Sequence, residues 1–587
     1  MTTQTSYLDY LGQQTQAIAR DRPYPEPDLA TIIQMRDAAF GKEFNAFHNG
    51  CERVEQYYRG IINVPTAEGG QEIVVPTAHT LIETFADHID TDNVQIDVRS
   101  GPRGEASAEI RAKFFTAVLA HSEQERMVLY TASKHLAMYG VAVVKRFHDA
   151  DRWPKRPEAP DNTADEGAWN SFAEELSEFS RIRQITFPIT DDVVNPKQVA
   201  WDLARGRKRW AIEKYKVSQE GLKKWFGNAY AVQGTADVEI TEYWDDQWMC
   251  ILAENEWLVR PRWHGYHHLP YVIIEPAMGV DSMDAPPEER YVGIITPNIQ
   301  HLIGEESRLV SQYDTIVRAT AWPSSWFQGP PELVERAKAN WDKHPGALNV
   351  LPEGVTYNQE GPGGSVFTQI LEVRRIIRDY IEDDTLPRVV RGAEPENRSS
   401  GFEVTARAGM ARLKLKAAAK ALASGIQEMN IVAAKLLEYV IREPITVFAQ
   451  TTKGLLEQRV RPRDVAGQYV SKVTLEASSP EDRINRGMYG MKLKDAGLAS
   501  ELMTRRDFLG QTNALEDMMR TKAEALWSSE PFMATMMQLA GDAFATFLQQ
   551  QQQIAKSTGG GGNPGQFGPG VMAATATTQF PDQMGRV

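Results

Sequence analysis

The chain has 587 residues, 42% hydrophobic and 24% charged, with a formal net charge of −14. That is the composition of a folded protein with several domain-sized cores, and it repels nucleic acid on average, so any DNA-gripping surface must be local. Two cysteines, Cys51 and Cys250, with no metal-type spacing, exclude a disulfide framework and a zinc knuckle; the lack of a signal-type start or a membrane-length apolar run predicts a cytoplasmic product with no membrane span.

In chain order, residues 1–40 read as an N-terminal arm, polar and broken by prolines (RPYPEPD), ending in a short helix. Helical patterns follow at 40–58 and at 74–89, where Leu81, Phe85 and Ile89 share a face. One long helix is predicted over 107–138, stopped at Gly140, and VAVVKRF (141–147) reads as a strand. Residues 151–180 read as a charged surface insertion. Strands are predicted at 181–189, 238–244, 247–253 and 256–260, with a tight turn at Asp245-Asp246. Residues 41–290 thus form an α+β region.

The pattern then changes. A helix is predicted over 291–318, a compact irregular segment over 319–364, a helix over 365–383 and a loop over 384–401. The strongest periodicity comes next: Leu415, Ala419, Leu422, Ile426, Met429, Ala433, Leu436 and Val440 alternate steps of four and three. With the run back to Phe402 this predicts a helix of about 40 residues, roughly 60 Å long. Such a helix either packs against copies of itself or forms a long core helix. Residues 446–556 read as short helices, and the Gly-rich tail 557–587 as disordered. The fold class is α+β, mainly α-helical.

Motifs for chemistry are missing. There is no G-x-x-x-x-G-K-[ST], no G-x-S-x-G and no H-E-x-x-H, and GPGGS (361–365) lacks the lysine that reaches phosphates. His264, His267 and His268 sit in a segment with Gly265 and Pro270, where a loop with packed rings is the simpler reading than a metal site. No catalytic residue, metal or cofactor is expected.

The order of helix, compact segment, helix, loop and very long helix resembles the portal proteins of tailed bacteriophages, where it forms stem, clip, stem, tunnel loop and the long helix across the top of a channel. YYRG (57–60), AMYGVAVVKRF (137–147), EYWDDQW (242–248), HLPYVIIEP (268–276), Gly293, GALNVLPEGVTYN (346–358) and SSGFEVTARAG (399–409) are each similar to local portal stretches, while Val74-Val75-Pro76 departs from an Asn-containing one. The resemblance covers about residues 45–445. It implies an arm (1–40), an α+β wing (41–290), first stem helix (291–318), clip (319–364), second stem helix (365–383), tunnel loop (384–401), long wing helix (402–445), C-terminal wing and crown helices (446–556) and a tail (557–587).

It further implies a ring, typically of twelve subunits, at one capsid vertex. The ring passes double-stranded DNA without sequence specificity and meets major capsid and scaffolding proteins, the terminase large subunit and head–tail adaptor proteins. Arg388, Arg391 and Arg398 of the loop are the expected DNA-channel residues. Glu305, Glu306 and Asp314 are candidates for an acidic channel lining, and Arg412, Lys414, Lys416 and Lys420 for a basic face of the long helix. A head–tail adaptor or other ring protein is the alternative; a packaging ATPase or nuclease is disfavoured by the missing motifs.

Overall fold

The computed structural model describes residues 25–527 except 67–69, 92–93, 100–104, 150–151, 153–156, 161–165, 205, 207, 227–236, 281, 283, 322–323, 343–348, 361–363, 387–400, 452–453, 476–479 and 509–513, and also residue 538. It falls into two units, residues 1–479 and 480–587. The architecture is mixed α+β and mainly helical.

In the first unit, α1 (Leu29–Ala38) leads through a π-turn into α2 (Asn45–Arg59), which Gly60 ends in the left-handed conformation. Then come α3 (Thr77–Asp87), β1 (Gln95–Asp97), α4 (Glu105–Arg126) and α5 (Val128–Tyr139). The single helix expected over 107–138 is therefore two. Met127, at φ 49°, breaks it, and the Glu123 carboxylate accepts the Leu129 N–H (2.6 Å) that the break leaves without a helical partner.

β2 (Ala142–His148) matches its expected span. Beyond it, α6 (Glu166–Ile185) corrects one expectation, since 181–189 begins as helix and is not a strand; residues 166–180 of the expected surface insertion are helical as well. The sheet strands are β3 (Ile189–Val194), β4 (Val199–Trp201) and β5 (Trp210–Val217), then, after α7 (Gln219–Phe226), β6 (Val238–Asp245), β7 (Trp248–Ala253), β8 (Glu256–Trp263) and β9 (Tyr271–Ile274). They form an antiparallel three-stranded sheet, β3-β2-β9, and a five-stranded antiparallel sheet, β4-β5-β6-β7-β8. At the β6–β7 turn the Asp245 carboxylate accepts the N–H groups of Gln247 (2.7 Å) and Trp248 (2.6 Å). α1 covers one face of the larger sheet, with Ile32 against Ile212, Tyr243, Cys250 and Leu252.

The chain continues through α8 (Pro287–Arg290), α9 (Pro297–Ala321), β10 (Ser324–Gln328), α10 (Pro331–Ala339), β11 (Thr356–Glu360), α11 (Gly364–Asp384) and α12 (Gly401–Lys435), the last ending in a π-turn at Leu436–Ile441. Next are β12 (Ile445–Thr451), β13 (Gly454–Val460), α13 (Pro462–Val465) and β14 (Lys472–Thr474). β12 and β13 form a hairpin and β14 pairs with β1, so the region after 445 opens with strands, not with the expected helices. The second unit holds α14 (Pro480–Asp495), α15 (Glu501–Met503) and α16 (Ala514–Trp527).

α12 is the centre of the first unit's core. Of the expected stripe, Leu415, Ala419, Leu422, Ile426, Met429, Ala433 and Leu436 are buried, and Val440, in the π-turn, is half-buried. Asn430, Val432, Ala434 and Leu437 are buried too, so over 429–437 the helix is covered nearly all round, as a core helix should be. The stripe is thus satisfied within its own chain and needs no copy of the protein to cover it, which decides between the two readings of the periodicity.

Two adjacent charges on β2 tie the layers together. Arg146 and Lys145 point to opposite faces of the strand because side chains alternate. Arg146, fully buried, donates Nε–H to Asp191 of β3 (2.6 Å) and a second N–H to the same carboxylate; its Nη1 donates to the Met429 carbonyl of α12 (2.8 Å). Ser122 also donates to Asp191. Lys145 reaches Glu213 of β5 (3.0 Å) and Glu242 of β6 (2.6 Å) on the larger sheet. Tyr215 and Tyr271 donate to the same two carboxylates, 2.6 Å each. Burial raises the Glu242 carboxyl, but Lys145 and the donors around it outweigh that and hold it below the usual range.

Candidate functional site

α9 and α11 run antiparallel and pack together, and the segment between them closes one end of the pair. β10 and β11 pair antiparallel from Ser324↔Glu360 to Gln328↔Thr356. Beside them, Trp341, two residues past the end of α10, completes an aromatic knot with Phe327 and Tyr357, with centroids 4.3–5.4 Å apart. The expected irregular segment is therefore an ordered strand–helix–strand cap.

The helix pair is held by a mixture of ring packing and one buried acid. Tyr313 of α9 meets Phe367 of α11 edge-on at 5.6 Å. Glu306 is fully buried; Thr77 at the start of α3 donates to it at 2.7 Å, and Arg374 and Arg378 of α11 lie 3.4 and 3.8 Å away. One carboxylate thereby ties three helices. Next to it, the hydroxyls of Ser307 and Ser311 accept the N–H groups of Val75 (3.1 Å) and Ile73 (2.9 Å), so the extended segment 71–75 lies along α9.

Just before α9, the backbone crosses the end of α5. Gly140 has φ 72°, and a Cβ there would stand 2.4 Å from the Val292 backbone; a Cβ on Gly293 would stand 2.3 Å from the Met138 carbonyl oxygen. Ile294 N–H donates to the Ala137 carbonyl at 2.8 Å across this crossing. The two glycines are one contact, which no residue with a side chain could make at either position.

Of the expected site residues, Glu306 is corrected: it is interior to the chain, neutralised by α11 arginines, and lines no open surface. Glu305, part-exposed, pairs with Arg308 of its own helix at 2.5 Å, and Asp314 with Arg318 at 2.9 Å. Lys416 and Lys420 are exposed on α12. Arg412 and Lys414 lie on the helical backbone of α12, their side chains outside the described residues. Arg388, Arg391 and Arg398 lie outside the described residues, as do the N-terminal 24 residues and the tail from 557.

The histidine cluster has other employment. His264 Nε2 lies 3.0 Å from the Asp245 carbonyl and its Nδ1 accepts the Tyr266 N–H; burial lowers its pKa to about 4. His268 is buried against the Leu269 carbonyl, and His267 packs on Tyr439 at 4.5 Å. Among the described residues no His, Cys, Asp and Glu group is arranged to hold a metal ion, and no helix is long and apolar enough to cross a membrane. Sequence reading missed three structural contacts: Arg146–Asp191, Lys145–Glu213–Glu242 and the Gly140–Gly293 crossing. A signal for the first two was present: adjacent cations inside an otherwise apolar strand need buried acids on both faces.

No protein-family model and no curated protein matches this chain. A solved chain described as "Neck of empty GTA particle computed with C6 symmetry" is similar over 74% of this chain and 90% of its own length, at 12% identity and a TM-score of 0.38.

Proposed function

We propose that this protein is the subunit of a tailed-bacteriophage portal: a ring, of twelve copies in the capsid, at one vertex of the virion, through which double-stranded DNA is packaged and ejected. The observation that carries this reading is the unit 297–435. It consists of two antiparallel helices joined by a strand–helix–strand segment, followed in sequence, after residues 385–400, by a 35-residue helix at the centre of the wing-like core. On this reading α9 and α11 are the stem, β10–α10–β11 the clip, 384–401 the tunnel loop and α14–α16 part of the crown. The chain acts as passage and scaffold and not as an enzyme. Its partners are other copies of itself, capsid and scaffolding proteins, the terminase large subunit, head–tail adaptors and DNA held without sequence specificity.

Negative-stain images of the purified full chain test this directly: rings with a central hole wide enough for duplex DNA are expected, and a protein that stays monomeric or dimeric under all conditions refutes it. Within the ring, replacing Arg388, Arg391 and Arg398 with alanine is expected to leave assembly intact and to alter DNA packaging or retention, because these are the loop's phosphate-contacting cations on an acidic chain. Particles that fill and hold DNA like the parent would reduce the loop to a connector.

A further inference from the structure

α11 is apolar on two sides. One side, with Phe367, Ile377 and Ile381, is used inside the chain. The opposite side carries Val373, Ile376 and Tyr380, which are 46%, 47% and 61% exposed. Val373, Ile376 and Tyr380 advance by three and then four residues and so form a row along two turns. Single exposed apolar side chains are ordinary, but a contiguous row on one helix marks a surface that another surface covers.

The charges around the row indicate what covers it. Tyr313 lies level with Phe367 and Glu306 with Arg374, and these contacts fix the height of α11 against α9. Carried along the antiparallel pair, the same offset sets Glu305 level with Arg375 and Arg308 level with Glu372. Copies related by rotation about a ring axis share one height, so same-level residues meet at their boundary. The apolar row of one copy, bordered by Glu372 and Arg375, then faces the outward Glu305 and Arg308 of the next copy's α9, opposite charge to opposite charge. Glu305 and Arg308 are part-exposed, 30% and 40% at the side chain, and so open to such a contact.

We propose that the Val373–Ile376–Tyr380 row of α11 docks a second copy of this chain, seated on the outward side of that copy's α9 around Glu305 and Arg308. The inference rests on the ring reading and adds to it the surfaces by which the ring closes. Contact is heterologous: one copy contributes α11 and its neighbour α9, the arrangement that builds a closed cycle.

The test uses the full chain, with mass by light scattering, negative-stain images and circular dichroism. The double variant Val373→Asp/Ile376→Asp is expected to keep the wild-type helix content while associating about tenfold or more weakly; Val350→Asp, at a site 83% exposed on the cap, is expected to assemble normally. A charge-reversal pair gives an independent readout that needs no apolar change. Glu305→Arg and Arg375→Glu are each expected to weaken assembly, and the combined variant to regain it. If wild-type rings form and the Asp variant or both single reversals form them equally well, the row faces something else. The proposal then falls while the ring reading stands. If the wild-type chain forms no rings at all, both fall together.

Discussion

Replacing Asp191 with asparagine removes the carboxylate to which Arg146, a guanidinium with no exposed surface, is bonded. Two charge-assisted bonds are lost or weakened, and the cation stays in the core because its third bond, to the Met429 carbonyl, holds it there. Breaking a buried ion pair from one side costs about 3–5 kcal/mol, mostly the penalty of the stranded charge. Replacing both partners, Arg146→Met with Asp191→Leu, removes the charges together and is expected to recover most of that loss. Ser122, whose one hydroxyl proton goes to Asp191 in the wild type, can turn it to the Val118 carbonyl in the double variant. Urea unfolding at fixed protein concentration, followed by tryptophan fluorescence, measures the loss, and hydrogen exchange of the α12 amides localises it. The reasoning is refuted if the Asn variant lies within about 1 kcal/mol of wild type, or if the double variant is no more stable than the single one.

Two further outcomes follow from the geometry. His48, His135 and His264 are partly buried, with pKa values lowered to about 4, chiefly by desolvation, against 6.5 in the unfolded chain. The folded state binds these protons less well, so stability is complete above pH 6.5 and falls as pH drops from 6.5 towards 4. Each histidine accounts for at most about 3 kcal/mol, and a melting temperature flat between pH 7 and 4.5 would contradict this. Gly140→Ala and Gly293→Ala each drive a Cβ into backbone and are expected to cost about 2 kcal/mol or more, whereas Gly50→Ala, with nothing within 4 Å, is expected to be neutral or stabilising; equal melting curves for all three would rule out the close crossing.

Legibility in the sequence followed the local period. β6, β7 and β8 were readable because apolar alternation and the Asp245 turn agree, and α11 because its 3-4 spacing has clear ends. α6 was hidden by the charge of its segment, although Phe172, Leu176, Phe179 and Ile182 carry a helical spacing. The break at Met127 has neither Gly nor Pro to announce it, since Glu123 supplies the compensating bond from a distance of six residues. The β12–β13 hairpin was missed because the strong helical run before it invites continuation past Ile441, where Arg442 turns the chain at φ 56°. The α12 stripe was visible in full, but what covers it was not: a periodicity says that a face is buried and is silent on whether the cover comes from the same chain. Glu306 shows the same limit for charge. It reads as one acid among several on α9, and only the approach of Thr77, Arg374 and Arg378 makes it interior.

The adjacent Lys145 and Arg146 also bear on how β2 finds its place during folding. A strand slipped by one residue presents every side chain to the opposite layer. For β2 that slip would turn arginine towards Glu213 and Glu242 and lysine towards the Asp191 layer, where the Met429 carbonyl awaits a guanidinium fork. Lysine cannot make the paired contact that Arg146 makes with Asp191, nor can arginine fit the space set by Tyr215 and Tyr271 around a single ammonium. The misaligned state therefore buries two poorly matched cations, while a purely apolar strand such as Val-Ala-Val-Val would slide with little cost. The two charges act as a key cut for one position, and they make correct alignment of the central strand a choice with a steep penalty on either side.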